Sequence, residues 1–195
     1  MNAIKLGAVA VLVIASQPAQ AADIYLRGMA WTGIPAIFIR GLIEYGDEEK
    51  FAAVAALHRA SVVNMQTPGG NIPAAIAIGR MVREHKLDTF LGRGGQCSSA
   101  CPLILLSGRH VIVQQYSILT FHAANMPEGT MMMAMYLDEI GLTPRQIDYM
   151  LRTPPPGFQM ASPADARALG FQFDKVSSLF GMWRNCQTKY CLAVP

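Results

Sequence analysis

The chain has 195 residues and a formal net charge of +3, and it is 52% hydrophobic and only 15% charged. That length suits one domain with a full hydrophobic core, and the composition argues against a disordered chain. The charges are scattered with no run of five or six of one sign, so no nucleic-acid partner is expected.

The first segment, MNAIKLGAVAVLVIASQPAQA, carries Lys5, an apolar run from Leu6 to Ala15, and the small residues Ala19 and Ala21 around Gln20. This is the layout of a secretory signal, with cleavage expected after Ala21 and a mature chain starting at Ala22. The apolar run is about half the roughly 20 residues needed to span a bilayer. The chain is therefore expected in the periplasm or secreted, with residues 22–195 as a single domain and no stable membrane span. Export changes how Cys97, Cys101, Cys186 and Cys191 read: four cysteines in an oxidising compartment imply disulfides, in one of three pairings. Their spacings lack the CxxC knuckle of a zinc site, so no metal is expected.

Along the mature chain, PAIFIRGLI (35–43) reads as a strand and GDEEKFAAVAALHRA as a helix, with acids in its first turn. SVVNMQ (61–66) is a short apolar strand running into TPGG. NIPAAIAIGRMVREHK places Ile72, Ala75, Ile76, Ile78, Met81 and Val82 largely on one helical face, with Pro73 in the first turn. LDTFLGRG is another short strand, SACPLILLSG a buried helix closed by Gly108, and RHVIVQQYSILTFHA one or two strands. Two helical segments flank Gly141. After TPPPG, SPADARALGF reads as a short helix capped by Ser162. The methionines at 131–135 suit a core or an oligomer contact. Strands alternating with helices predict an α/β fold with a mainly parallel sheet.

Three features carry chemistry. In QTPGGN, a proline turn and two glycines before a helix can free backbone N–H groups for an anion or a developing oxyanion. In CSSAC, a serine lies between a strand-like segment and a helix start, where the following N–H can join an oxyanion hole. A nucleophilic serine needs a base. Of the four histidines, His58 and His85 lie on polar helical stretches and His110 in a turn, whereas His122 closes the strand SILTFHA.

Taken in order, strand–PGG–helix, strand–GQxxS–apolar helix–Gly and strand–His resemble the serine peptidases of the ClpP/crotonase fold, built from repeated β-β-α units around a mainly parallel sheet. The peptidase pattern G-Q-A-A-S-M-G is answered by Gly95-Gln96-Cys97-Ser98-Ser99-Ala100-Cys101, which aligns the nucleophile with Ser99 rather than Ser98. Gly70, 29 residues earlier, has the family's spacing for an oxyanion donor, and the N–H of Ala100 is the other. The base matches His122, at a gap two residues shorter. SPADARALGF looks like the segment that normally follows the triad aspartate, but no acid stands between Thr153 and Ser162. Asp148 is the nearest acid upstream and Asp165 the nearest downstream, and neither aligns. A backbone carbonyl or a side-chain amide could orient His122 instead, or a Ser–His dyad could operate alone.

The resemblance runs from about Ile37 to Phe171 and is nearest to small exported bacterial members of the superfamily. It implies a serine hydrolase acting on a peptide or protein, without a cofactor, in a homo-oligomer. The TPGGN segment could also pair with an extended peptide. The alternative is a catalytically weak or inactive module for binding or assembly. Acyl-CoA chemistry on the same fold fits poorly, because export removes the chain from CoA and no basic cluster awaits its phosphates. Pairing Cys97 with Cys101 would strain the usual Cα separation of about 4.4–6.8 Å across a helix start. Either could instead reach Cys186 or Cys191 and staple the tail near the site.

Overall fold

A computed structural model describes residues 21–30, 33–57, 59–114, 116–160, 169–170, 173–176 and 190–193. The elements in chain order are β1 (Asp23–Gly28), β2 (Pro35–Arg40), α1 (Asp47–Ala55), β3 (Val62–Gln66), α2 (Ile72–Glu84), β4 (Asp88–Leu91), β5 (Gln96–Cys97), α3 (Cys101–Leu105), β6 (Val111–Gln114), β7 (Ile118–Phe121), α4 (Pro127–Glu139), α5 (Pro144–Leu151), β8 (Gln159–Met160), β9 (Phe173–Val176) and β10 (Tyr190–Ala193).

The period-two pattern of the strands sorts side chains to the two faces of one sheet. Ile37, Ile39, Val63 and Met65 join the main core, while Ala36, Phe38 and Val62 join a smaller cluster with Met29, Phe90 and Ile112. The sheet runs β1-β2-β3-β4-β6-β10-β9, parallel at every pairing except the antiparallel edge strand β1. A second sheet, β5-β7-β8, pairs β5 with β7 in parallel and β7 with β8 antiparallel. The mixed α/β architecture with a mainly parallel sheet is thus the one expected. No helix among the described residues is long and apolar enough to cross a membrane.

The expected strands and helices through α5 are present, with three differences. β1 was not read from DIYLRG, although Ile24 and Leu26 alternate there and pack against the core. The helix expected over SACPLILLSG is five residues long, because Pro102 to Leu105 are buried on all sides and the chain then turns at Ser107–Gly108. The methionine cluster divides: Met133 is buried, whereas Met131, Met132 and Met135 are exposed. His58, residues 162–168 and 171 of the helix expected over 162–171, and with them the Asp165 position, lie outside the described residues.

Helix α2 is the support for the site. Asn71 caps it by accepting the Ala74 N–H at 2.9 Å, and Pro73 sits in the first turn where no intrahelical donor is lost. Gly79, in its interior, costs helix propensity, and packing explains its use. A Cβ there would stand 2.3 Å from the Tyr136 hydroxyl and 2.8 Å from Ser107 Oγ. Those two hydroxyls share a buried 2.6 Å hydrogen bond, and Ser107 donates on to Leu103 O. Burial raises the Tyr136 pKa, partly offset by the Ser107 bond, so the phenol stays protonated at neutral pH. Gly79→Ala should therefore destabilise by about 2–4 kcal/mol in a urea melt, despite the better helix former, because it must separate α2 from α3 and break this polar pair. An unchanged midpoint would contradict the close approach.

Candidate active site

The nucleophile loop is built by β5 delivering the chain into a tight turn. Cys101 N–H donates to Ser98 O at 3.0 Å, closing residues 98–100 at the mouth of α3. Ser99 adopts a left-handed φ of +59°, one of three described non-glycine residues with positive φ. A serine in that region costs about 1–2 kcal/mol, which the surroundings must offset. Part of the offset is covalent. Cys97 and Cys101 form a disulfide with a Cα separation of 5.2 Å, so the bridge closes over Ser98, Ser99 and Ala100. The expectation of strain in this pairing is corrected by the turn itself: the left-handed residue folds the loop back and brings the two Cα atoms into ordinary disulfide range. Cys186 lies outside the described residues, and Cys191 falls on β10, hydrogen-bonded between β6 and β9.

Ser98 and Ser99 are distinguished by their partners. Ser98 Oγ accepts from Gln96 Nε2 at 3.1 Å. Ser99 Oγ is bonded to no other described residue and lines an open cavity of about 380 Å³.

The QTPGGN turn is pinned against this loop. Thr67 N–H donates to Gln96 O at 2.8 Å and Ser98 N–H to Thr67 O at 3.2 Å, a parallel bridge between Thr67 and Cys97. Gly69, at φ +102°, lies so close that a Cβ would be 2.5 Å from Ser99 Cβ and 2.8 Å from the Ala100 nitrogen. On the other side, Ile43 N–H donates to Gly69 O at 2.8 Å and Asn71 N–H to Ile43 O at 2.7 Å. One edge of TPGGN is therefore taken by the chain's own residue 43. The Gly69 N–H goes to Thr67 Oγ1 at 3.0 Å, while the Gly70 N–H has no acceptor among the described residues. The Ala100 N–H also finds no acceptor among the described residues, although Ala100 is only 1% exposed. A buried amide without a partner is rare, which makes the Ala100 N–H next to Ser99 a candidate anion donor, whereas Gly70 is exposed.

His122 follows β7 and lines the same cavity as Ser99. Its Nδ1 bonds the carbonyl oxygen of Ala123. A carbonyl can only accept, so Nδ1 carries the proton and the lone pair falls on Nε2, the nitrogen a general base needs. Among the described residues no carboxylate bonds His122. Asp148, the weak candidate for a third member, is exposed on α5 and does not take that place. Of the other histidines, His110 Nδ1 lies 3.0 Å from the buried Asp88, which also binds Arg109. His85 ends α2 and is partly buried rather than fully solvated.

The rest of the cavity wall comes from Pro68, Thr120, Ile118 and the 155–158 segment. Ile118 is 42% and Phe158 60% exposed there, and among the described wall residues His122 is the one ionisable side chain. These wall residues and the Gln96–Ser98 bond are not legible in the sequence, whereas a backbone carbonyl as the partner of His122 is among the alternatives it offers, without the residue. The TPPPGF turn carried the one sequence signal, a rigid segment ending in an aromatic.

No family model matches the chain, and no curated protein sequence is significantly similar to it. Solved structures are similar. A mutant of ClpP1 from Listeria monocytogenes has a TM-score of 0.59 at 16% identity, with 75% of this chain and 94% of that one covered. A mutant of the 1510-N membrane-bound stomatin-specific protease in complex with a substrate peptide has a TM-score of 0.55 at 14% identity, with 82% and 90% covered. At such identities the likeness concerns the backbone, and the fold of this chain is that of the ClpP-like serine peptidases.

Proposed function

We propose that the chain is an exported serine hydrolase, a peptidase, in which Ser99 is the nucleophile and His122 its base. The observation that carries this is Ser99 itself: strained to positive φ, its hydroxyl without a hydrogen-bond partner among the described residues, and sharing a cavity with an imidazole whose Nδ1 is bonded to a carbonyl. Ser99 Oγ attacks the scissile carbonyl as His122 Nε2 takes its proton. The Gly70 and Ala100 N–H groups receive the tetrahedral oxyanion, and His122 returns the proton to the departing amine. Water then hydrolyses the acyl-enzyme by the same route. The apolar wall of Ile118, Pro155 and Phe158 suits an apolar side chain of a peptide. The exposed methionines of α4 offer a surface for the self-association that the family resemblance implies.

A second reading, a weak or inactive binding module, draws on one observation: a carbonyl holds His122 but stabilises an imidazolium less than a carboxylate does. Fluorophosphonate labelling of the processed protein, with peptide mapping, separates the two. An adduct on Ser99 is expected that is retained in Ser98→Ala, absent in Ser99→Ala, and slowed at least about 10²-fold in His122→Ala. Folded, oxidised protein that takes no label would favour the binding module.

A further inference from the structure

The buried carboxylate of Asp47 plays no part in the chemistry above, yet its surroundings are specific. Asp47 opens α1 and is 0% exposed. One oxygen, Oδ1, takes Lys50 Nζ at 2.7 Å. The other, Oδ2, accepts the Glu44 N–H at 2.8 Å and the backbone nitrogen of Ala22 at 3.2 Å. Ala22 is itself only 2% exposed. It is also the residue at which the sequence places the start of the mature chain, directly after the Ala19-Gln20-Ala21 pattern.

We propose that processing after Ala21 turns this neutral contact into a buried ion pair between the Ala22 α-ammonium and Asp47, and that the pair braces the oxyanion loop. The proposal rests on the export reading. Hydrolysis adds one water across the Ala21–Ala22 bond, leaving a carboxylate on Ala21 and an ammonium on Ala22, so an amide with one proton becomes a cation with three. The local field favours it. Among the described residues, Glu44, Asp47, Glu48 and Glu49 gather at the head of α1 with Lys50, and the N-terminal end of the helix dipole favours a negative charge there. Glu48 Oε2 is occupied by the Gly46 N–H at 3.0 Å, which leaves Asp47 Oδ2 as the acceptor facing Ala22.

The pair sits one step from the site. Asp47 Oδ2 holds the Glu44 N–H, and the adjacent Ile43 binds both Gly69 O and Asn71 N–H. Leu42, beside it, bridges Ala21 in the full-length chain. Removing residue 21 takes away that bridge, and the new ion pair replaces it as the anchor of the 42–47 segment.

The test uses full-length chain expressed in an exporting host. Intact-mass analysis should find the N-terminus at Ala22; another N-terminus overturns the proposal while leaving Ser99 chemistry untouched. The α-amine of folded processed protein should react with 2-pyridinecarboxaldehyde at least about tenfold more slowly than after denaturation, as its burial requires. A variant with Gly-Ser inserted between Ala21 and Ala22, processed before the insert, should melt about 6–12 °C lower, the scale of breaking a buried pair in a chain of this size. In an Asp47→Asn background the insertion should cost less than about 3 °C. An insertion that costs nothing, or the same in both backgrounds, overturns the ion pair whatever the labelling of Ser99 shows.

Discussion

Gly69→Ala is expected to reduce fluorophosphonate labelling of Ser99 by at least about 10²-fold while the protein still folds, the scale of losing one oxyanion donor. The reason is contact. A methyl on Gly69 would stand 2.5 Å from Ser98 O, 2.5 Å from Ser99 Cβ and 2.8 Å from Ala100 N, so the two loops must part where the oxyanion would sit. The backbone must also hold φ +102° with a side chain, and together these should cost about 2–4 kcal/mol of stability. Gly70→Ala acts from the other side: its Cβ would fall 2.0 Å from Ile43 O, unpairing the loop from residue 43. Gly141→Ala is the control. It imposes a similar φ of +90° but meets nothing within 4 Å, so it should cost only about 1–2 kcal/mol and leave labelling unchanged. If Gly69→Ala and Gly141→Ala label alike, proximity of the glycine loop to Ser99 is not what activates the serine.

The site was more legible in the sequence than its support. The QTPGGN and CSSAC turns and the strand-end His122 stood out because turn chemistry needs particular residues at strand ends, and the resemblance to the ClpP/crotonase-fold peptidases singled out Ser99, Gly70 and Ala100 within them. The structure brings Ser99 and His122 to one cavity, and the Gly70 and Ala100 amides have no acceptor among the described residues. What could not be read were interactions that close only in three dimensions. No pattern marks a carbonyl such as that of Ala123 as the partner of an imidazole, since every residue carries one. The side chains of Ile118 and Phe158 look like any apolar residues until two distant segments meet across a cavity. β10 escaped for a related reason: a short strand is fixed by the neighbour it pairs with, and its neighbour β6 is remote in sequence. The cysteine pairing was misjudged because separation along the chain was weighed without the left-handed residue that folds 97 and 101 together.

That pairing carries the second large expectation. Trypsin should release residues 94–109 as one peptide, since Arg93 and Arg109 flank both cysteines. Without reduction it should weigh two hydrogens less than its thiol form, with no link to the peptides of Cys186 or Cys191. Replacing both cysteines, Cys97→Ser with Cys101→Ser, frees a loop of about five residues, for which chain entropy gives about 2 kcal/mol, or about 4–8 °C in melting temperature. The kinetic effect should be larger than that loss suggests. The bridge closes over the one residue whose backbone must stay left-handed for its hydroxyl to face the cavity. Once it is cut, Ser99 can relax toward the ordinary helical region and take the Ala100 N–H with it. If holding that conformation is worth the usual 1–2 kcal/mol, labelling should slow by about 5- to 30-fold in protein that is still fully folded at the assay temperature. A double variant that melts lower but labels at the wild-type rate would make the bridge a brace for the fold alone. A cross-link from the 94–109 peptide to the C-terminal cysteines would remove it from the nucleophile loop altogether.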